Sequence, residues 1–223
     1  MQGFRQGAAM AAVRVVRRLR EAGDWQREMD GILETLCRAI ECQRGILFRL
    51  RELPGQGFAQ SVAAYWIDPD FGGELASPTV IMQSIVNSDP LLERVAEDER
   101  QGKIFAGHTR NLEGFLRTDF EKQNIKSFLS VSVFAHGHLW GTLAVNDCVD
   151  EREWTDEEEA ILHIIALAIG DAIEHSPSDA HASEVIRRTM LQASLDAIIV
   201  IDEAGSIIEF NPAAEKMFGF QRS

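Results

Sequence analysis

Ser130, Ser132 and Thr142 stand in two short runs that also carry Phe128 and Trp140, so small hydroxyls lie beside large rings. That mixture suits a pocket that holds a small molecule by apolar contact and orients it with a few hydrogen bonds. His108, His136 and His138 could ligate a metal or a haem iron, because neutral imidazole is the commonest metal ligand. His136 and His138 fall at a turn, which leaves His108 as the best single candidate, without nearby partners. His163 shares a solvated helix face with Asp156 and Glu159. Cys37, Cys42 and Cys148 could supply a thiolate nucleophile. Three is an odd number and no CxxC spacing occurs, which argues against a disulfide framework or a cysteine-rich zinc site and fits a reducing compartment. Cys37 and Cys148 read better as small buried hydrophobes. The acids Asp147, Asp150, Glu151 and Glu153 precede a helix start and read as a solvated turn rather than a divalent-metal site.

These groups need a sheet to hold them, and the clearest strand signal is IKSFLSVSVF (125–134), a turn at Ala135-His136-Gly137, then HLWGTLAVN (138–146). A two-residue loop sets Val133 across from Trp140 and mixes aliphatic with polar groups on both faces. A three-residue loop with Gly137 in the left-handed region pairs Val133 with Leu139 and Leu129 with Leu143. One face then carries Leu129, Val131, Val133, Leu139, Leu143 and Val145, and the other Phe128, Ser130, Ser132, Trp140, Thr142, Ala144 and Asn146. The second register is the one expected. The aliphatic face must be covered by helices, while the small side chains of the other leave volume for a ligand, with Trp66, Phe105 and His108 as further candidates to line it.

Residues 7–21 place Ala8, Ala12, Val15 and Leu19 on one helical stripe, with Met10, Arg14, Arg17 and Arg18 opposite. Asp24 can cap a second helix in which Trp25, Met29, Ile32, Leu33, Leu36 and Ile40 recur at helical spacing. GILFRL (45–50) and FAQSVAAYWI (58–67) read as strands joined by a turn at 53–57. Short helices are expected near 90–101 and 113–123, with an extended stretch at 103–106. Thr155 and Glu158 form a capping box at the head of TDEEEAILHIIALAIGDAIE. Ile164 and Leu167 widen that helix's apolar arc beyond what one sheet face needs. The surplus calls for a helical partner, either the same helix of a second subunit or helix 7–21 of the same chain.

Composition bounds the function. The chain has 223 residues, 45% hydrophobic and 26% charged, which is ordinary for a folded soluble protein. The net charge of −13 would repel a phosphate backbone, so nucleic acid is not an expected partner. No stretch of 18 apolar residues occurs and residues 1–22 are too rich in arginine for a secretory signal, so no membrane span and a cytoplasmic location are expected.

The stretch from Trp25 to about Glu174 resembles a GAF domain, on the strength of IKSFLSVSV, HLWGTLAVNDC and EREWTDEEEAILHIIALAIGDAIE. SLDAIIVIDEAGSIIEFNPAAEKMFGF resembles the start of a PAS domain, with Asp196, Asp202, Gly205, Asn211, Ala214 and Gly219 at positions that family favours. The resemblance implies an α+β fold in which a GAF-type antiparallel sheet of about six strands has its first and last helices on one face and short helices or loops over a ligand pocket on the other. The organisation expected is an amphipathic helix at 1–23, a GAF domain at 24–175, a linker at 176–182 and a truncated PAS segment at 183–223. It reads as a piece of a longer protein. The likeness implies a sensory input region of a bacterial histidine kinase or cyclic-di-GMP enzyme, dimeric through helices 7–21 and 155–174. It implies an unidentified small-molecule ligand and names no cofactor. Asn124 and Lys126 do not complete the cyclic-nucleotide pattern of the family, and residues 68–124 contain no cysteine to attach a bilin. Two alternatives follow. One is a ligand-free dimerisation module whose pocket is filled by Phe71, Phe105, Phe115 or Phe120. The other is a methionine sulfoxide reductase of the same fold, which needs reactive cysteines converging on the pocket.

Overall fold

In a computed structural model, the described residues are 2–53, 57–71, 90–176, 199–201, 207–210 and 212–219. The chain divides into two compact units, Met1–His175 and Ser176–Ser223. In the first, helices α1 (Gln2–Glu21) and α2 (Trp25–Ala39) are followed by strands β1 (Arg44–Leu53) and β2 (Gly57–Ile67). Then come α3 (Pro90–Arg100), β3 (Phe105–His108), α4 (Gly114–Lys122), β4 (Ser127–Ala135), β5 (His138–Asp147) and α5 (Asp156–Glu174). The five strands form one antiparallel sheet in the order β2-β1-β5-β4-β3. The second unit holds β6 (Ile199–Ile201) paired with β7 (Ile207–Phe210), then α6 (Pro212–Phe218). The helix expected at 183–193 and most of the linker lie outside the described residues, as do the turns at 54–56 and 203–205.

The helices obey their stripes. Asp24 accepts the Gln26 amide at 3.1 Å and starts α2, whose Trp25, Met29, Ile32, Leu33, Leu36 and Ile40 are all buried. Each such side chain contributes about 1.5–3 kcal/mol on leaving water. Thr155 and Glu158 make the reciprocal capping box, with the Thr155 amide donating to Glu158 Oε2 at 2.8 Å. α2 and α5 cover one face of the sheet and α1 lies on both, with Ala8, Ala12, Val15 and Leu19 buried. The partner for the broad arc of α5 is therefore partly α1 of the same chain, although Ile164 and Leu167 stay 47% and 71% exposed.

The hairpin corrects the expected register. His136 and Gly137 both have positive φ, 53° and 74°, so the β4–β5 loop is a two-residue turn of the kind that matches strand twist. Mixing of the faces is avoided by a bulge. Val133 pairs with Gly141 and Phe134 with Leu139, leaving Trp140 as the extra residue. Trp140 consequently turns to the helix side, where it meets Trp25 edge-on at 5.6 Å, and Leu139 turns to the opposite face. Beyond the bulge, Leu129, Val131, Val133, Leu143 and Val145 join the helix-side core as expected. Two glycines permit close approaches there. A Cβ on Gly141 would meet Phe48 O at 1.9 Å, and one on Gly170 of α5 would meet Phe134 O at 2.1 Å.

Candidate functional site

The face of the sheet turned from α1, α2 and α5 carries a cavity of about 140 Å³ roofed by α3 and α4. Its floor is built by strand parity. Arg44, Ile46, Phe48 and Leu50 alternate along β1 with the helix-side Gly45 and Leu47, and Ser130, Thr142, Ala144 and Asn146 do so along β4 and β5. Phe105 and Phe120 pack on Phe128 with ring centroids 4.7 and 5.2 Å away, forming an aromatic wall. These rings line the space without closing it. Phe71 and Phe115 are not among the lining residues.

Of the residues expected at a pocket, Phe105, Phe128, Ser130, Thr142 and Asn146 line this cavity. The hydroxyls of Ser130 and Thr142 make no side-chain hydrogen bond among the described residues. Ser132 lies on the same face but is spent on structure, its Oγ donating to the Glu99 carbonyl at 2.7 Å and so tying β4 to the end of α3. Three expectations are corrected. Trp140 is on the helix side because of the bulge. Trp66 pairs with Gly45, which places it on the helix side too, where the Arg38 guanidinium of α2 lies 5.4 Å from its ring centre. His108 is three residues after Phe105 on one strand and therefore faces the other way. It is buried, with Nε2 3.1 Å from Arg152 O and 3.6 Å from Glu153 Oε1. No group of three potential metal ligands occurs among the described residues.

The charged groups of the cavity escaped the sequence reading. Arg44 is 4% exposed, and its Nε donates to Asn146 Oδ1 at 2.9 Å and its Nη1 to Gln123 Oε1 at 3.0 Å. No carboxylate is in ion-pair range of it among the described residues, and burial lowers its pKa. Gln123 in turn donates from Nε2 to Asp119 Oδ2 at 2.6 Å. Burial raises the Asp119 carboxyl, against the opposing pull of that bond and of Arg44. Glu99 lines the cavity from α3, and loss of water raises its carboxyl to about 7, with only Arg100 opposing. A signal for both was present. Arg44 shares the parity of Ile46 and Phe48, and Glu99 falls on the α3 stripe of Leu92, Val95 and Ala96 at i, i+3, i+4 and i+7.

The cysteines do not converge on the cavity. All three are buried, and none lines it. Burial, then a hydrogen bond with Cys42, holds the Cys37 thiol well above its ordinary value. Cys148 is pushed up to about 11, also by burial. Neutral thiols are poor nucleophiles. Asp147 is buried rather than solvated and accepts the Val149 and Asp150 amides at 2.9 and 2.8 Å, closing the turn after β5.

The chain is 35% identical over 206 residues to an uncharacterized protein of Azorhizobium caulinodans, matching 90% of this chain and 28% of that one. It is 26% identical over 148 residues to the methanogenesis regulatory histidine kinase FilI of Methanothrix harundinacea, covering 65% of this chain and 16% of that one. The chain thus spans under a third of the length of either relative. The phycocyanobilin-bound GAF domain from a cyanobacterial phytochrome superposes with a TM-score of 0.62 at 14% identity, covering 78% of this chain and 97% of that one. That likeness speaks for the fold alone. The PAS fold matches residues 186–223 and the GAF domain residues 24–173, and the chain belongs to the GAF domain family.

Proposed function

We propose that this chain is the sensory input region of a bacterial cytoplasmic signalling protein, and that the cavity between the sheet and α3/α4 is where it takes up a small molecule. The observation that carries this reading is the cavity itself, lined largely by apolar side chains, with two hydroxyls that make no side-chain hydrogen bond among the described residues, the buried Arg44 and the half-buried Glu99 in its lining. A route for the signal is built in. Phe128 and Ser130 on β4 touch the cavity, and the Phe134 carbonyl of the same strand abuts Gly170 of α5. A ligand that shifts β4 would bias the position of α5, which precedes the PAS segment in the sequence, provided its affinity differs between the two arrangements. The downstream effector is a histidine kinase or a diguanylate cyclase or phosphodiesterase, and the partial similarity to FilI favours the kinase. Native mass spectrometry of protein from its source cell should find a bound small mass. Hydrogen exchange should then slow in α5 with ligand present, and unchanged exchange in α5 would remove the proposed relay.

A second element of the reading is a homodimer through helices 7–21 and 155–174, supported by the exposed Met10 and Val13 of α1 and Ile164 and Leu167 of α5. Sedimentation of Leu167→Glu should give a lighter species than the parent chain. The reductase alternative is disfavoured by the neutral buried thiols, and a thiol-dependent turnover lost in Cys→Ser variants would restore it.

A further inference from the structure

The cavity's two charged ends describe a ligand. Along β5, Asn146 sits opposite Arg44 and Thr142 opposite Phe48, and Thr142 pairs with Ser132, whose hydroxyl holds the end of α3 where Glu99 stands. Four steps along β1, about 13 Å, therefore separate the rung of Arg44 from the rung to which the Glu99 carbonyl is tied. Both side chains line the one cavity, together with Phe48, Phe105, Phe120 and Phe128. Its volume of about 140 Å³ is close to the ~150 Å³ of an apolar cavity that takes up benzene.

Arg44 is the group whose pairing is incomplete in charge. Its two hydrogen bonds go to neutral amide oxygens, and Asp119 is held on the far side of the Gln123 amide. A guanidinium in so little water gains most from a carboxylate, which it can grip with two parallel N–H donors. At the other end, the Glu99 carboxyl makes no hydrogen bond among the described residues. It calls for a donor. Arg100 stands at the cavity edge beside it, bridged to Glu97 at 2.8 Å.

Resting on the reading of this cavity as a ligand site, we propose that it selects a monocyclic aromatic carboxylic acid, its carboxylate on Arg44 and a hydrogen-bond donor across the ring facing Glu99. The ring stacks among the phenylalanines, and Ser130 and Thr142 offer hydroxyls along its edge. Asp119 sets a limit on affinity, because its charge opposes the incoming carboxylate through the Gln123 relay.

The test is calorimetric titration of the 223-residue chain with 4-hydroxybenzoate, benzoate and phenol. 4-Hydroxybenzoate should bind at least about tenfold tighter than phenol, which lacks the anion, and about three- to tenfold tighter than benzoate, which lacks the donor. Arg44→Gln should erase the preference over phenol while phenol still binds, and Arg44→Lys should restore part of it. Asp119→Asn should tighten 4-hydroxybenzoate and leave phenol unchanged, which guards against a variant of Arg44 that fails to fold. Equal binding of the three compounds overturns the ligand class and leaves the cavity reading standing. No binding of any of them also overturns the class, and the bound mass found, or not found, in protein from the source cell then decides the cavity reading separately.

Discussion

The two faces of one sheet are packed to opposite ends. On the helix side Leu47, Leu129, Val133, Leu143 and Val145 are fully buried beneath the helices, and the backbones of α5 and β4 come so near that Gly170 has no room for a side chain. On the other side the same strands present Ser130, Thr142 and Ala144 beneath a cavity, with charged groups in its lining. Close packing leaves no vacant volume and makes every methylene felt, whereas small side chains under a roof of short helices give up stability to keep a space open. The contrast separates what holds the domain together from what it can bind.

The sharpest way to break that contrast is at the close approach of α5 to β4. Gly170→Val should destabilise by at least about 3 kcal/mol in urea unfolding, because its side chain has to displace the Phe134 backbone. Neighbouring residues on opposite faces come next. Leu129→Ala should cost about 2–5 kcal/mol and Ser130→Ala under about 0.5 kcal/mol, and similar costs would show that the faces are not different in kind. Thr155→Ala removes a cap rather than core and should cost about 1 kcal/mol.

The dependence on pH sharpens the comparison further. Glu99 is raised to about 7 from an ordinary 4.5, so between those values the folded chain holds a proton that the unfolded chain has released. That contribution to stability is fully present below about 4.5 and is lost as pH rises through about 7. Glu99→Gln should flatten this part of the stability curve. Superimposable curves for the two proteins would mean that the Glu99 carboxyl is as wet as a surface acid.

The helices were legible because period and caps are local. Asp24, Thr155 and Glu158 announce their helix starts, and the apolar residues of α2 need no knowledge of what they touch. The alternation of Ser130 and Ser132 with Val131 and Val133 was equally plain, and it gave the cavity its floor. Trp140 shows where local reading stops. A bulge of one residue reverses the face of Trp140 and Leu139, and the ring that Trp140 then meets, Trp25, is far away in sequence. Trp66 was misread for a related reason, since only its pairing with Gly45 fixes its side.

Strand alternation, helix caps and the two-sided character of the final hairpin are properties of adjacent residues, and the chain's own order determined them. Tertiary structure alone decided that Arg44 and Glu99, 55 positions apart, share one cavity. A charge among apolar neighbours is ordinary at a surface, and its meaning changes only when folding has removed the water and left it without an opposite charge.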